Sequence, residues 1–425
     1  MKKRFALNPI FTDNMMFQAN KPIKIYGICK KNTEITIKFL EQEKTIKTVS
    51  NKFVVELKPE DYNDKPFAFS VSSKKHTVKI YNVLIGDVFL FLGGKRLKNT
   101  LNDISAIEDY KDKNIRVLDL TNNKKWLTSS RDDLTNISAI SYRFLKNAYK
   151  KLKKPIGVIT YSNESENIFT WSNKTSVLID KEMYNFINCK IDKKNNILGK
   201  DFEFLKANIF NLAFKAINFY QGENDLLHYH FYEKAFRLLI KVYRLEFKDK
   251  NLPFNIIQLP SLSSSKNYIA ISEIRIAQSN LFSDKNKVNL ISAIDINKIN
   301  VINETNNYLA KRLTDLVFEK QYKKNKNTLN PQVFSYKVSE NSLYIYIANN
   351  YLNLISRSGQ NLSFTYTENK IDYLPLKKVK LNGNQITIKI NPDIKEIRYA
   401  YENNPKCDIF SSNGLPLLPF RISLS

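Results

Sequence analysis

The densest run of reactive side chains is Gln221-Gly222-Glu223-Asn224-Asp225-Leu226-Leu227-His228-Tyr229-His230, directly after the apolar stretch Ala216 to Tyr220. A carboxylate and an imidazole three residues apart suit an acid that orients a base. If the segment is helical, Asp225 and His228 share a face, while His230 points roughly 200° away from His228. The same two groups could serve as metal ligands, but no third ligand stands near them at zinc spacing. The reading is therefore a hydrogen-bonding role at a helix start, with no metal and no cofactor. His76 lies in an alternating stretch and reads as a solvated strand-edge side chain. Cys29, Cys189 and Cys407 are too scattered for a disulfide framework or a zinc module, and Cys407 reads as a packed thiol.

Charge bounds the partners. The 425 residues carry 67 Lys+Arg against 41 Asp+Glu, a formal net charge of +26. The lysines are spread along the chain, as at Lys31, Lys74-Lys75, Lys193-Lys194 and Lys323-Lys324. A nucleic-acid site would gather them on one face with aromatics between, so the charge reads as a solvated basic surface. Hydrophobic residues at 43% and aromatics at 12% exclude a disordered chain. No apolar run reaches the roughly 20 residues that span a bilayer. Met1-Lys2-Lys3-Arg4 is basic but has no apolar stretch behind it, so no signal peptide is read and the cytoplasm is the default compartment.

The elements that must position such groups follow from periodicity. Ile23 and Ile25, then Ile35, Ile37 and Phe39, then Val54, Val55 and Leu57 follow the two-residue period of half-buried strands and suggest a small β-sandwich. The run Val83 to Leu92, ending at Gly93-Gly94, suits a strand buried on both faces. Helical stripes follow at Ile137 to Ala148, Phe204 to Ala213, Ala235 to Leu245 and Leu309 to Val317. Strand-like runs lie between them at Ile156 to Thr160, Ala216 to Tyr220, Asn255 to Leu259 and Asn289 to Ile296. Such alternation implies an α/β layered domain with a largely parallel sheet. Past residue 330 strands return, Leu343 to Ile347 alternating and Asn382-Gly383 marking a hairpin.

Read in order, several segments resemble the sialate O-acetylesterase family, carbohydrate esterases of the SGNH-hydrolase type. They are Asp13-Asn14-Met15-Met16-Phe17-Gln18, Asn82 to Leu90 with Gly86-Asp87-Val88 at its centre, Tyr220-Gln221-Gly222-Glu223, Leu252-Pro253-Phe254 and Glu273 to Gln278. The most specific is the end, from Arg398-Tyr399-Ala400-Tyr401 through Asn404-Pro405 to Gly414-Leu415-Pro416 and Pro419-Phe420-Arg421. The resemblance implies an SGNH-hydrolase-like three-layer α/β domain with a mainly parallel sheet over 83–328. An amino-terminal β-sandwich over 1–82 and a carboxy-terminal β-rich domain over 329–425 would flank it. Members of the family are commonly exported.

The resemblance also implies a serine nucleophile just past the Gly86-Asp87-Val88 strand, a late Asp-x-His pair and glycines beside the oxyanion. This chain departs at each place. Gly93-Gly94-Lys95-Arg96 puts Lys95 on the serine position, and Asn300 and Ile302 fall on the acid and base positions. Glu164 and Ser165 replace the two glycines, and Asp225 stands where the family has asparagine, with Asn224 one residue before it. Lys95 and Arg96 read as solvated cations, or as a pair neutralised by Glu164 or Glu223. As cationic donors they would suit a sugar carboxylate. Trp171 and Tyr161 could stack a sugar ring but read as core.

The expectation is thus a non-catalytic or strongly impaired member of this family. Its ligand would be an acetylated glycan, with Gly93, Gly94, Lys95, Arg96, Glu164, Gln221, Gly222, Glu223 and Asn224 as binding positions. The alternative is an active esterase with relocated groups, Asp225 and His228 being the candidates. A second alternative is a basic nucleic-acid or anionic-surface binder. The sequence leaves the oligomeric state open.

Overall fold

In the computed structural model the apolar run Val83 to Leu92 lies within the strand His76–Gly93, which is buried without a break from Val83 onward. The described residues are 5–424, apart from 103–111, 123, 130–135, 165–166, 191–197, 263–267, 297–301, 325–326, 350–352 and 361–362. They divide into two compact units, Met1–Phe219 with Leu238–Phe254, and Tyr220–Arg237 with Asn255–Ser425.

In the first unit, His76–Gly93 changes partners along its length. Its start pairs antiparallel with Asn63–Ser73. Leu84 to Gly86 then run parallel to Met16–Gln18, and Asp87 to Gly93 run parallel to Ile156–Ser162. That last strand also pairs in parallel with Ile115–Asp119, which sequence periodicity did not mark. The handover falls at Gly86. A Cβ there would stand 2.2 Å from the Pro155 carbonyl oxygen, so only glycine lets the incoming chain approach. Next to it the Asp87 carboxylate, fully buried, accepts from Gln18 Nε2 at 2.9 Å and the Tyr62 hydroxyl at 2.7 Å, with Lys215 Nζ at 3.4 Å. Gln18 Oε1 accepts in turn from the Val88 amide at 2.9 Å. Two of the family-like segments thus meet in one buried polar knot.

The amino-terminal strands Ile23–Cys29, Glu34–Phe39 and Lys52–Leu57 lie where the alternation placed them. Rings of Phe17, Phe39 and Phe69 pack at 5.3 to 5.8 Å in this region. His76, the first residue of its strand, is exposed. Helix Ala139–Leu152 carries the first predicted stripe. The stripe from Phe204 to Ala213 is corrected, because the helix Lys200–Asn208 stops short of its second half. Asn208 Nδ2 donates to the Phe204 carbonyl at 2.7 Å, the local competition that asparagine offers a helix backbone. The stripe from Ala235 to Leu245 is also corrected. Along the helix Tyr229–Glu246 the buried face runs through Tyr232, Phe236, Leu239 and Tyr243, leaving Leu245 69% exposed. Aromatic Tyr232, Phe236 and Tyr243 share that face with the aliphatic Ala235, Leu239 and Ile240.

Strands Phe254–Ile257 and Val288–Ile291 and helix Ile302–Tyr322 overlap the predicted runs, whereas helix Tyr268–Asn280, in the second unit, was not among the predicted helices. Among the described residues the carboxy-terminal part has two antiparallel four-stranded sheets. One joins Gln332–Ser339, Ser342–Ala348, Gln385–Lys389 and Val379–Asn382, the other Leu374–Pro375, Phe364–Thr367, Glu396–Tyr399 and Phe420–Ser423. Leu343, Ile345, Ile386, Ile388, Ile397 and Tyr399 belong to their shared core. The hairpin register pairs Asn382 with Gln385, so the turn is Gly383-Asn384, one residue later than the dipeptide suggested. Only Gly383 takes a positive φ there, +60°, as a tight turn with glycine first requires.

Candidate functional site

The strand His76–Gly93 ends in the segment where the resemblance calls for a nucleophile. Gly93 pairs with Ser162 and its carbonyl accepts from the Asn163 amide at 3.0 Å. Gly94 then opens the four-residue helix Lys95–Lys98, which presses Leu97 into the core. Gly93 and Gly94 are buried, Arg96 is half-buried and Lys95 is exposed. Glu164 pairs with Lys98, Nζ to Oε1 2.9 Å. That hydrogen bond and charge hold the Glu164 carboxyl below its ordinary value, with a smaller contribution from Lys95. Ser165 lies outside the described residues.

Behind this segment stands a carboxylate that sequence reasoning missed. Asp201, fully buried, accepts from the Tyr161 hydroxyl at 2.7 Å, Asn163 Nδ2 at 3.0 Å and the Thr170 hydroxyl at 2.5 Å. It fixes the chain leaving Ile156–Ser162 from the first turn of the helix Lys200–Asn208. The only local signal was an acidic residue at a helix start. Trp171 is core, as expected, whereas Tyr161 is only half-buried. Tyr161 stacks on Phe204 at 4.4 Å, and the fully buried Trp171 packs edge-on against Tyr161 and Phe219.

In the second unit, Gln221 to His228 form successive turns, and the helix starts only at Tyr229. The helical placement of Asp225 and His228 is therefore replaced by a turn in which the His228 amide donates to the Asp225 carbonyl at 2.8 Å. Both residues are buried. The Asp225 carboxylate accepts from Gln221 Nε2. The Gln221 carbonyl accepts from the Tyr232 hydroxyl at 3.1 Å and from Gln278 Nε2 at 3.0 Å. Gly222 has φ +143°, and a Cβ there would meet Leu259 and Ile274 side-chain carbons at 3.2 Å. Glu223 is half-buried and Asn224 exposed. Burial pushes the His228 imidazole below its ordinary value, opposed by a hydrogen bond with the Asn224 backbone.

Asn300 lies outside the described residues, as does the side chain of Ile302, where the helix Ile302–Tyr322 begins. Its anchor is visible: Arg312 clamps Asp295 through two contacts of 2.8 Å. Among the described residues no cluster of metal-ligating side chains is found, and no helix is long and apolar enough to cross a membrane.

The late family-like segments hold structure rather than chemistry. Arg275, fully buried, donates to the carbonyls of Leu259, Pro260, Glu402 and Asn403 at 2.6 to 3.0 Å. Glu273 accepts from the Tyr401 hydroxyl at 2.6 Å and pairs with Arg421 at 2.9 Å. Cys407 packs against the carboxy-terminal core, and burial raises its thiol far above the ordinary value.

A family model described as carbohydrate esterase, sialic acid-specific acetylesterase, matches residues 93–318. Among solved structures, the carbohydrate acetylesterase XAC1771 from Xanthomonas citri superimposes with a TM-score of 0.84. It covers 99% of this chain and 100% of its own at 19% identity, a likeness of fold. An Arabidopsis thaliana protein, AT4G34215, gives a TM-score of 0.38 at 17% identity over 55% of this chain and 99% of its own. A family two carbohydrate esterase from Cellvibrio japonicus gives 0.30 at 13% identity over 71% and 85%. A search of curated protein sequences finds no match.

Proposed function

The chain belongs to the family of sialic acid-specific acetylesterases, carbohydrate esterases, and on that premise we propose that it keeps the scaffold while hydrolysing acetyl esters poorly or not at all. The reading divides the chain into a β-sandwich over 1–82, a three-layer SGNH-type domain over 83–328 and a β-rich domain over 329–425. Its ligand is an acetylated glycan, met by Lys95 and Arg96 past the end of the strand His76–Gly93.

One observation carries this reading. Lys95, which the resemblance puts at the nucleophile position, is exposed and opens a short helix, and an ammonium cannot form the acyl ester that a serine forms. Glu164 adds a carboxylate where the family has a backbone glycine, and its counter-ion is Lys98.

A second reading, hydrolysis by relocated groups, is favoured by His228. Burial lowers its imidazole below the ordinary value and so favours the neutral form a base needs, and Asp225 lies three residues before it. The test is turnover of an O-acetylated sialic acid and of an aryl acetate. The proposal expects rates at the buffer background. Turnover well above background that His228→Ala abolishes would establish the second reading instead.

A further inference from the structure

A cavity of about 990 Å³ opens on the carboxy-terminal sheets, and none of its lining residues lies in the matched stretch 93–318. Its volume is at the upper end of the ~300–1,000 Å³ range of small-molecule sites, room for more than one sugar ring. Four lysines line it: Lys377, Lys378, Lys380 and Lys389. All four are exposed, and among the described residues none makes an ion pair. Among the described lining residues there is no carboxylate.

Strand register explains how the cations converge. Lys380 faces Thr387 across one ladder and Lys389 faces Ser342 across the next, so these four side chains share one face of the sheet. Val379, Ile386 and Ile388 alternate with them and point into the core. Lys377 and Lys378 enter from the segment after Leu374–Pro375. Like charges so placed repel one another, a cost that a bound anion would relieve.

We infer that this groove binds a carboxylated glycan chain. The ammonium groups meet carboxylates, while the hydroxyls of Ser342, Ser363 and Thr387 and the Gln360 amide meet sugar hydroxyls. A single-stranded nucleic acid would want exposed ring faces, and among the described lining residues the one aromatic, Phe364, is 2% exposed. The anion site rests on this geometry alone. The choice of a glycan rests on the carbohydrate reading proposed above.

The test is affinity electrophoresis of the full chain in gels containing polygalacturonate, neutral dextran or single-stranded DNA, at low and moderate salt. Polygalacturonate retards the protein and dextran does not. The double variant Lys380→Gln with Lys389→Gln weakens retardation at least fivefold, whereas Lys30→Gln with Lys31→Gln, exposed lysines elsewhere, changes it less than twofold. All these positions are on the surface, and circular dichroism checks that the variants fold. No retardation, equal losses in both double variants, or stronger retardation by DNA overturns the inference. Binding is read without hydrolysis, so failure here leaves the impaired-esterase reading intact. Ester turnover would overturn that reading and leave this groove.

Discussion

The Lys98 ammonium stands 2.9 Å from the Glu164 carboxylate, so the negative charge that the proposed register puts on a family glycine has a counter-ion beside it. The two side chains are 43% and 45% exposed, and solvent screens the pair. Lys98→Ala therefore raises the Glu164 carboxyl toward its ordinary 4.5 and leaves the thermal midpoint unchanged. A carbon-detected NMR titration of Glu164 in both proteins reads the shift. If the two titrations coincide, Lys98 is not its source.

Lys95→Ser alone restores no esterase activity. The substitution supplies a hydroxyl at the end of the strand His76–Gly93, but a hydroxyl needs a neighbouring base to become nucleophilic. On the proposed register that base position is Ile302. Aryl acetate turnover by the single variant stays at background. A rate ten times background or more would mean that another residue supplies the base and that the register is wrong.

His228 gives the fold an acid-sensitive element. Burial lowers the folded imidazole below its ordinary 6.5, so as pH falls the unfolded chain takes up the proton first. This stability is complete above about pH 6.5 and is lost as pH falls through and below it. His228→Gln removes the titration and flattens the loss. Thermal midpoints between about pH 7.5 and 5.5 measure it, and identical acid slopes in the two proteins would exclude His228 as the cause.

Arg275→Lys destabilises the protein by about 3 kcal/mol, although the charge is kept. The guanidinium serves four carbonyls from a fixed fork, and a lysine ammonium cannot span them, which leaves buried acceptors unpaired. Urea unfolding followed by fluorescence measures the loss. A change below about 0.5 kcal/mol would show that water replaces the lost donors.

These positions differ in how far the sequence could disclose them. The run Val83 to Leu92 declares its burial because a strand covered on both faces must be apolar throughout. Alternation at Leu343 to Ile347 declares a sheet face in the same way. The place of Gly93 to Arg96 was legible because Gly86, Asp87 and Val88 fix the strand before it. Asp201 was not. Its donors Tyr161, Asn163 and Thr170 lie 40, 38 and 31 residues away in sequence, and no local pattern tells such a carboxylate from a helix-start residue. The lysine groove was hidden for a related reason. Lys377 and Lys378 precede one strand and Lys389 ends the next, and only the hairpin register turns scattered charge into a site.

The Asp87 knot supplies the sharpest stability test. Its carboxylate is fully buried between two neutral donors, Gln18 and Tyr62, and the Lys215 ammonium. Asp87→Asn preserves the shape but turns one acceptor oxygen into a donor facing Gln18 or Tyr62, and leaves Lys215 without its counter-charge. Removing one member of a buried pair costs about 3 kcal/mol. Lys215→Met keeps the apolar stem of a side chain that is 24% exposed, yet leaves the carboxylate charged and buried, so it too is destabilising. The double variant removes both charges and costs less than the two losses added, by about 1 kcal/mol or more. Urea unfolding of the three variants closes the cycle. Strict additivity would mean that Lys215 is incidental to the joint where His76–Gly93 changes partners.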